Sequence, residues 1–243
     1  MTDRPEACVL IHGAHHGSWV WDPLLAHLRL PTLAVDLPGR GAHPADLRSL
    51  TLDDYAVAVA ADIHAAGLAR VMLVGHSLAG SVAYTVAARN PSVVAHLVGV
   101  AAVFPSPGHS AIDLWPAGLR WLPRTGLVLR PGGRRAPLRL STRNARRRLT
   151  NDLDDERARW LLANLGPEAV GLMTSPVPRT RLAADLQRTY VLCSNDRALP
   201  SERQRRQART LGARIVQIDT GHDPMVSAPR LLADVLNGLL PSS

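Results

Sequence analysis

The chain has 243 residues, which fits one domain, or one core with an insertion, that buries a substantial hydrophobic core. Its formal net charge is +8 and its basic residues are all arginine, a bias that we attribute mostly to a coding preference rather than to a nucleic-acid partner. No apolar run approaches the length of a membrane span, and the charged N-terminus carries no apolar segment of a secretory signal, so we expect a cytoplasmic protein without a membrane partner.

Short apolar runs alternate with amphipathic stretches, which predicts a mainly parallel sheet flanked by helices on both faces. The predicted strands are Cys8–Ile11, Thr32–Val35, Val71–Val74, Val93–Val103, Thr189–Cys193 and Arg214–Ile218. The predicted helices are Trp21–Arg29, Leu52–Ala66, Ser77–Arg89, Ser201–Leu211 and Pro229–Leu240. Because Cys8 and Cys193 both lie inside predicted strands, we expect two buried thiols rather than a disulfide.

The first predicted strand ends in a loop rich in histidine and glycine, His12-Gly13-Ala14-His15-His16-Gly17. The adjacent His15 and His16 raise the question of a metal site. The sequence shows no further residues that would complete a ligand set around them. We therefore expect neither a metal ion nor a cofactor.

The most informative segment is Val71–Gly80, an apolar run that breaks at Gly75, presents Ser77 and continues into a predicted helix. A serine at a strand-to-helix turn is held in a strained backbone that exposes its hydroxyl group. The usual pattern has glycine two residues before and after the serine, so Ala79 is a mild departure from it. The context predicts a nucleophilic serine, and the alternative is an ordinary helix N-cap.

The alternation of strands and helices fails between Phe104 and Asp185. Prolines and the pair Gly132-Gly133 interrupt the first part of this segment, whereas Ser141–Leu165 is helical in character. We therefore predict a core formed by residues 1–104 and 186–243, and an insertion formed by residues 105–185. Residues 105–186 contain 14 arginines and 7 acidic residues, and such a basic surface could dock an acidic carrier protein.

Two further segments supply an acid and a base. The strand Thr189–Cys193 delivers Asp196 to its C-terminal edge, and His222 lies in the loop after the last predicted strand. Asp219 and Asp223 also flank this histidine, but residues so close in sequence seldom reach round to its ring nitrogen. The chain order of nucleophile, acid and base differs from the orders in trypsin and subtilisin and is that of α/β-hydrolases.

These motifs resemble the α/β-hydrolases, and in particular the small esterase branch related to plant methyl esterases and hydroxynitrile lyases. The resemblance spans nearly the whole chain. Its markers are His12-Gly13-Ala14, His16-Gly17, Trp19, Asp36-Leu37-Pro38-Gly39-Arg40-Gly41, Gly75-His76-Ser77-Leu78-Ala79-Gly80, Asp196 and Gly221-His222. The resemblance implies an α/β-hydrolase fold in which the insertion 105–185 is a helical cap, or lid, that roofs the pocket.

The resemblance also implies a catalytic arrangement. Ser77 is expected to be the nucleophile, His222 the base and Asp196 the residue that orients the base. By position, the backbone N–H groups of Ala14 and Leu78 would form the oxyanion hole.

Four neighbouring residues are expected to support this machinery rather than to take part in it. Gly13 and Gly75 allow close approach of backbone segments in the loop and the serine turn. His12 is interpreted as a hydrogen-bond partner that organises the loop, and His76 as packing support for the serine turn.

We expect a serine esterase that cleaves a small-molecule carboxylic ester through an acyl-enzyme, without a cofactor. The same residues also fit a thioesterase, amidase or cyclase that acts on a specialised metabolite or on an acyl group bound to a carrier protein. A hydroxynitrile-lyase activity is disfavoured, because Asp223 and Gly13 stand where that group has lysine and threonine. A small-molecule receptor with an inert serine is the remaining alternative. The sequence determines neither the substrate nor the oligomeric state.

Overall fold

The computed structural model describes residues 4–114 and 136–240. Six strands form one sheet in the order β2-β1-β3-β4-β5-β6, and every neighbouring pair is parallel. The strands are Ala7–Ile11 (β1), Thr32–Val35 (β2), Val71–His76 (β3), Val94–Val100 (β4), Gln187–Cys193 (β5) and Arg214–Ile218 (β6). The predicted parallel sheet is confirmed.

Helices cover both faces of this sheet. They are Asp22–Leu25 (α1), Leu52–Ala65 (α2), Ala79–Arg89 (α3), Thr142–Leu149 (α4), Asp155–Asn164 (α5), Val170–Thr174 (α6), Ser201–Leu211 (α7), Pro224–Ser227 (α8) and Pro229–Gly238 (α9). Local sequence explains several of their ends. Thr51 and Asp54 form a capping box at the start of α2, and Gly212 ends α7 with a φ of 67°.

The core is divided by the sheet into two layers, because alternate residues of a strand point to opposite faces. In β1, Val9 and Ile11 pack with α2, α3 and α7, whereas Cys8 and Leu10 pack on the opposite face. Both faces are therefore buried, which explains why the strands are nearly continuous apolar runs. Cys8 and Cys193 are free and buried, as predicted.

The helix predicted at Trp21–Arg29 is shorter in the structure. A 3₁₀ turn, Ser18–Trp21, precedes α1, and the α-helix ends at Leu25. The side chain of Asn237 accepts from the Arg29 N–H at 2.9 Å and donates to the His27 carbonyl at 2.9 Å. The first of these bonds occupies the Arg29 N–H, which a longer helix would have used to bond the Leu25 carbonyl.

The strand predicted at Val93–Val103 ends three residues early, at Val100. Ala101 has a φ of 44°, which turns the chain out of the sheet. The Val103 N–H then donates to the Ser77 carbonyl at 2.9 Å. The end of this apolar run therefore supports the serine turn instead of extending the sheet.

The chain leaves the sheet after β4 and returns to it at β5. Between them lie a 3₁₀ turn, Ala111–Leu114, and the helices α4, α5 and α6, so the helical character predicted for Ser141–Leu165 is confirmed. The first part of the predicted insertion, residues 115–135 with Gly132-Gly133, lies outside the described residues. In the described part of the chain, every helix is too short or too polar to cross a membrane.

Candidate active site

The candidate site lies at one edge of the sheet. The carboxyl ends of parallel strands meet at the same edge, which is where open α/β sheets bind ligands. Ser77 directly follows β3, Asp196 follows β5 by three residues, and His222 follows β6 by four. The topology therefore brings together three side chains that are widely separated in sequence.

The three side chains form one continuous series of hydrogen bonds. His222 Nε2 lies 3.0 Å from Ser77 Oγ, and His222 Nδ1 lies 2.7 Å from Asp196 Oδ2. His222 is 3% exposed and Asp196 is 6% exposed, so the pair is shielded from water. Since a carboxylate only accepts, Nδ1 carries a proton in this bond, and in the neutral ring Nε2 is left to accept from the serine hydroxyl.

The carboxylate of Asp196 is itself held in place. Its Oδ1 accepts from the N–H groups of Ala198 at 2.7 Å and Leu199 at 2.8 Å. Its Oδ2 accepts from Gln204 Nε2 at 3.1 Å as well as from His222. Sequence analysis did not identify Gln204, because nothing in its local pattern distinguishes it from other polar residues of α7.

Ser77 occupies the strained turn that its sequence context predicted. Its φ is 53°, in the left-handed region that residues with a side chain rarely adopt. A Cβ atom at Gly75 would lie 2.9 Å from both the Ala79 carbonyl oxygen and the Ala83 Cβ. Glycine is therefore required where β3 meets α3, and the small Ala79 is compatible with the same close approach.

The loop of residues 12–17, called here the His-Gly loop, passes directly over the serine turn. A Cβ atom at Gly13 would lie 2.8 Å from His76 Nδ1 and 2.9 Å from Ser77 Cβ. His12 Nδ1 donates to the Gly13 carbonyl at 2.9 Å, and His12 Nε2 accepts from the Leu37 N–H at 3.1 Å. These contacts are those of a side chain that organises a loop.

Within the described part of the chain, neither the N–H group of Ala14 nor that of Leu78 donates a hydrogen bond to a protein acceptor. Leu78 is the N-cap residue of α3, so its N–H is one of the donors that a helix start leaves without an intrahelical partner.

Two of the histidines are neutral at neutral pH. Burial lowers the pKa of His12 to about 4 and that of His76 to about 3. His76 Nε2 donates to the His222 carbonyl at 2.9 Å, and the two rings lie 4.8 Å apart. His76 is thus a buried, uncharged support for the loop that carries His222.

The pKa of His222 is shifted in the opposite direction. Burial by itself lowers it, but the charge and hydrogen bond of Asp196, together with the charges of Asp223 and Asp152, raise it above its ordinary value of 6.5. Burial also raises the pKa of Asp223, but the neighbouring His16 outweighs this effect and lowers it. A second ionised carboxylate therefore lies beside the triad.

A buried polar cluster adjoins the triad on this side. Asp223 Oδ1 lies 3.3 Å from His16 Nε2 and 3.6 Å from His76 Nε2, and the possible ligand atoms of the three residues lie within 4.8 Å of one another. Folding thus places His76 and Asp223 beside His16, a set that could hold a metal ion and that sequence analysis did not assemble. The hydrogen bond from His76 Nε2 to the His222 carbonyl occupies one of these ligand atoms.

A cavity of about 130 Å³ lies beside the serine turn. Its wall is mainly apolar, and two arginines lie at its edge. The lining residues are Leu78, Val103, Ala111, Leu114, Met173, Leu199, Arg203, Arg206 and Gln207. The cavity therefore places an apolar surface next to Leu78, the residue that follows Ser77.

Substitution Gly13→Ala is expected to reduce both stability and activity. The added methyl group would meet the buried His76 ring and Ser77 Cβ at under 3 Å, so the loop or the serine turn must move. We expect a loss of about 1–3 kcal/mol in the free energy of unfolding. Urea denaturation measures this loss, and the matched control is Gly238→Ala, because a Cβ there meets nothing within 4 Å. Equal stability of the two variants would contradict the close approach of the His-Gly loop.

The chain matches one protein family and is similar to two curated proteins. Residues 8–235 match the alpha/beta hydrolase family. A carbendazim hydrolyzing esterase from Nocardioides sp. (strain SG-4G) is 30% identical over 244 residues, which cover 95% of this chain and 98% of that protein. The probable esterase PIR7A of rice, Oryza sativa subsp. indica, is 36% identical over 120 residues, which cover 47% of this chain and 46% of that protein. The match therefore spans about half the length of the rice protein.

Among solved structures, an extracellular alpha/beta-hydrolase from a Paenibacillus species is similar with a TM-score of 0.82. The match covers 98% of this chain and 100% of that chain at 22% sequence identity. At this identity the likeness concerns the fold alone.

Proposed function

Because this chain belongs to the alpha/beta hydrolase family, we propose that it is a serine esterase that cleaves a small-molecule carboxylic ester through an acyl-enzyme. The observation that carries the proposal is the hydrogen-bonded series from Ser77 Oγ through His222 to Asp196. The esterase name of the Nocardioides relative, which aligns over nearly the whole chain, supports the same class of reaction.

In the first half of the proposed reaction, Ser77 Oγ attacks the ester carbonyl carbon while His222 Nε2 takes the hydroxyl proton. The imidazolium that forms is stabilised by Asp196 at Nδ1. When the tetrahedral intermediate collapses, the carbon–oxygen bond to the alcohol breaks, and His222 gives its proton to the leaving oxygen. The acyl group is then bound to Ser77 as an ester.

In the second half, water takes the place of the alcohol. His222 removes a proton from the water as it attacks the acyl carbon, and the bond to Ser77 Oγ breaks with return of that proton to the serine. The free N–H groups of Ala14 and Leu78 are proposed to donate to the oxyanion in both halves. The left-handed backbone of Ser77 favours its role as the nucleophile, because it turns the residue out of the strand at the edge of the sheet.

Substitution Asp223→Asn is expected to shift the pH dependence of activity. The base must be neutral, so kcat/KM rises as the pH rises through the pKa of His222. Asp196, Asp152 and Asp223 all raise this pKa, and removal of the Asp223 charge lowers it. The rise in kcat/KM for an uncharged ester should therefore move to lower pH in the variant. An inflection at the same pH in both proteins would contradict an electrostatic effect of Asp223 on the base.

The second candidate function is hydrolysis or transfer of an acyl group bound to an acidic carrier protein. The arginines of α4 are exposed, namely Arg143, Arg146, Arg147 and Arg148. The residues that follow α4 reach the catalytic loops, since Asn151 Nδ2 donates to the Asn195 carbonyl at 3.1 Å and Asp152 accepts from the Gly221 N–H. This basic helix could therefore hold a carrier close to the site. A kcat/KM for a carrier-bound substrate that falls steeply with salt would favour this candidate.

The experiment that tests the proposal is hydrolysis of p-nitrophenyl esters from acetate to decanoate, together with labelling by a fluorophosphonate. An esterase of the proposed mechanism should turn over at least part of the series and take up one label per chain at Ser77. The chain-length profile would measure how much acyl group the cavity beside Leu78 accepts. A folded protein that neither hydrolyses the series nor takes up the label would overturn the proposal in favour of a receptor.

A further inference from the structure

Glu168 lies in the inserted segment, between α5 and α6. It is 2% exposed, so its carboxylate is removed from water. A buried carboxylate is costly unless it is paired and fully hydrogen-bonded. This carboxylate accepts four hydrogen bonds, which hold neighbouring segments in place.

Each oxygen of Glu168 accepts two hydrogen bonds. Oε1 accepts from the Tyr55 hydroxyl at 2.5 Å and from the Ala169 N–H at 2.9 Å. Oε2 accepts from the His15 N–H at 3.1 Å and from Arg40 Nη2 at 3.2 Å. The bonds from Tyr55, His15 and Arg40 connect the inserted segment to the core, and that from His15 begins in the His-Gly loop.

His15 is held by the inserted segment at two further points. Its Nδ1 donates to the Gly166 carbonyl at 3.0 Å, and its own carbonyl accepts from the Gly166 N–H at 2.8 Å. These bonds stabilise a backbone φ of 70°, which is unfavourable for a residue with a side chain. Arg40 adds a hydrogen bond from Nε to the His16 carbonyl at 2.7 Å.

These contacts account for two of the three N–H groups of residues 14–16. The His16 N–H donates to the Gly13 carbonyl and the His15 N–H donates to Glu168. Among the N–H groups of residues 14–16, only that of Ala14 donates to no acceptor in the described part of the chain. The Ala14 N–H belongs to the peptide group between Gly13 and Ala14. The next peptide group along the chain, between Ala14 and His15, is the one whose N–H donates to Glu168.

We propose that Glu168 is a positioning residue, which fixes the orientation of the His-Gly loop through the His15 N–H and thereby aims the Ala14 N–H at the oxyanion. This inference rests on the proposed esterase function. A carboxylate suits the position because all four groups around it are donors. An amide nitrogen at either oxygen position would face two of those donors and leave them without an acceptor.

The test compares Glu168→Gln with the wild-type protein on an ester and on the thionoester with the same leaving group. A thiocarbonyl sulfur accepts hydrogen bonds poorly, so its hydrolysis depends less on the oxyanion donors. Because misplacing one such donor is costly, we expect kcat for the ester to fall about 10- to 100-fold. The ratio of kcat/KM for ester to that for thionoester should fall about tenfold.

The matched control is Tyr55→Phe, which removes a hydrogen bond to Oε1 but leaves the contact of Oε2 with His15. It should lower the melting temperature while leaving the ratio of ester to thionoester unchanged. If Glu168→Gln does not fold, Glu168→Asp takes its place, since it keeps the charge but shortens the reach to His15.

An unchanged ratio in the folded Glu168 variant, or an equal fall in Tyr55→Phe, would overturn the proposal. Failure of the proposed function has a different signature, in which the wild-type protein hydrolyses neither substrate and takes up no fluorophosphonate.

Discussion

The variant Ser77→Ala is expected to hydrolyse p-nitrophenyl acetate about 10⁴- to 10⁶-fold more slowly than the wild-type protein. Ser77 Oγ is the hydroxyl that contacts His222 Nε2, at 3.0 Å, and the alanine removes the atom that carries the acyl group in the proposed mechanism. Because a methyl group replaces a small side chain in the same turn, we expect the fold to be kept. Initial rates and fluorophosphonate labelling measure the effect.

The matched control for this variant is Ser81→Ala. Ser81 is buried in α3, four residues further along the chain, and its hydroxyl lies 3.4 Å from the Val103 carbonyl, away from His222. It should retain labelling and turnover. Loss of activity in Ser81→Ala with retention in Ser77→Ala would place the nucleophile elsewhere, and so would equal activity in both variants.

The variant Asp196→Asn is expected to lose about 10⁴-fold in kcat while keeping its fold. Two backbone N–H groups, those of Ala198 and Leu199, require an acceptor at the Oδ1 position. The amide nitrogen of asparagine is therefore directed to the Oδ2 position, where it donates to His222 Nδ1. The imidazole proton moves to Nε2, and the ring can then no longer accept the proton of Ser77.

The control for this second variant is Asp219→Asn. Asp219 is also close to the histidine in sequence, but its Oδ1 accepts from Ser194 Oγ at 2.7 Å and Asn195 Nδ2 at 2.8 Å. We expect activity within about twofold of the wild type, as for other surface substitutions. Steady-state kinetics over a range of pH distinguishes the variant Asp196→Asn from the variant Asp219→Asn. A large loss in Asp219→Asn and none in Asp196→Asn would reverse the assignment of the acid.

The local pattern of the sequence was sufficient where one strand and its flanking residues decide the structure. The apolar run before Gly75 predicted β3 and the strained turn at Ser77, and the distribution of apolar runs predicted six strands. The local pattern failed at the helix predicted for Trp21–Arg29, because the side chain of Asn237, more than 200 residues away, forms hydrogen bonds with the backbone there. No window of local sequence contains that contact.

The sequence by itself determined the class of fold, and it predicted the three side chains that the structure joins by hydrogen bonds, because strand periodicity and the position of each residue after a strand are local properties. Only the tertiary structure decided which groups surround them. It placed Asp223 against His16 and His76, and Glu168 against His15, in both cases across long distances in sequence. For Glu168 the physical reason is burial, since a carboxylate removed from water must find its donors wherever the packing of the chain brings them.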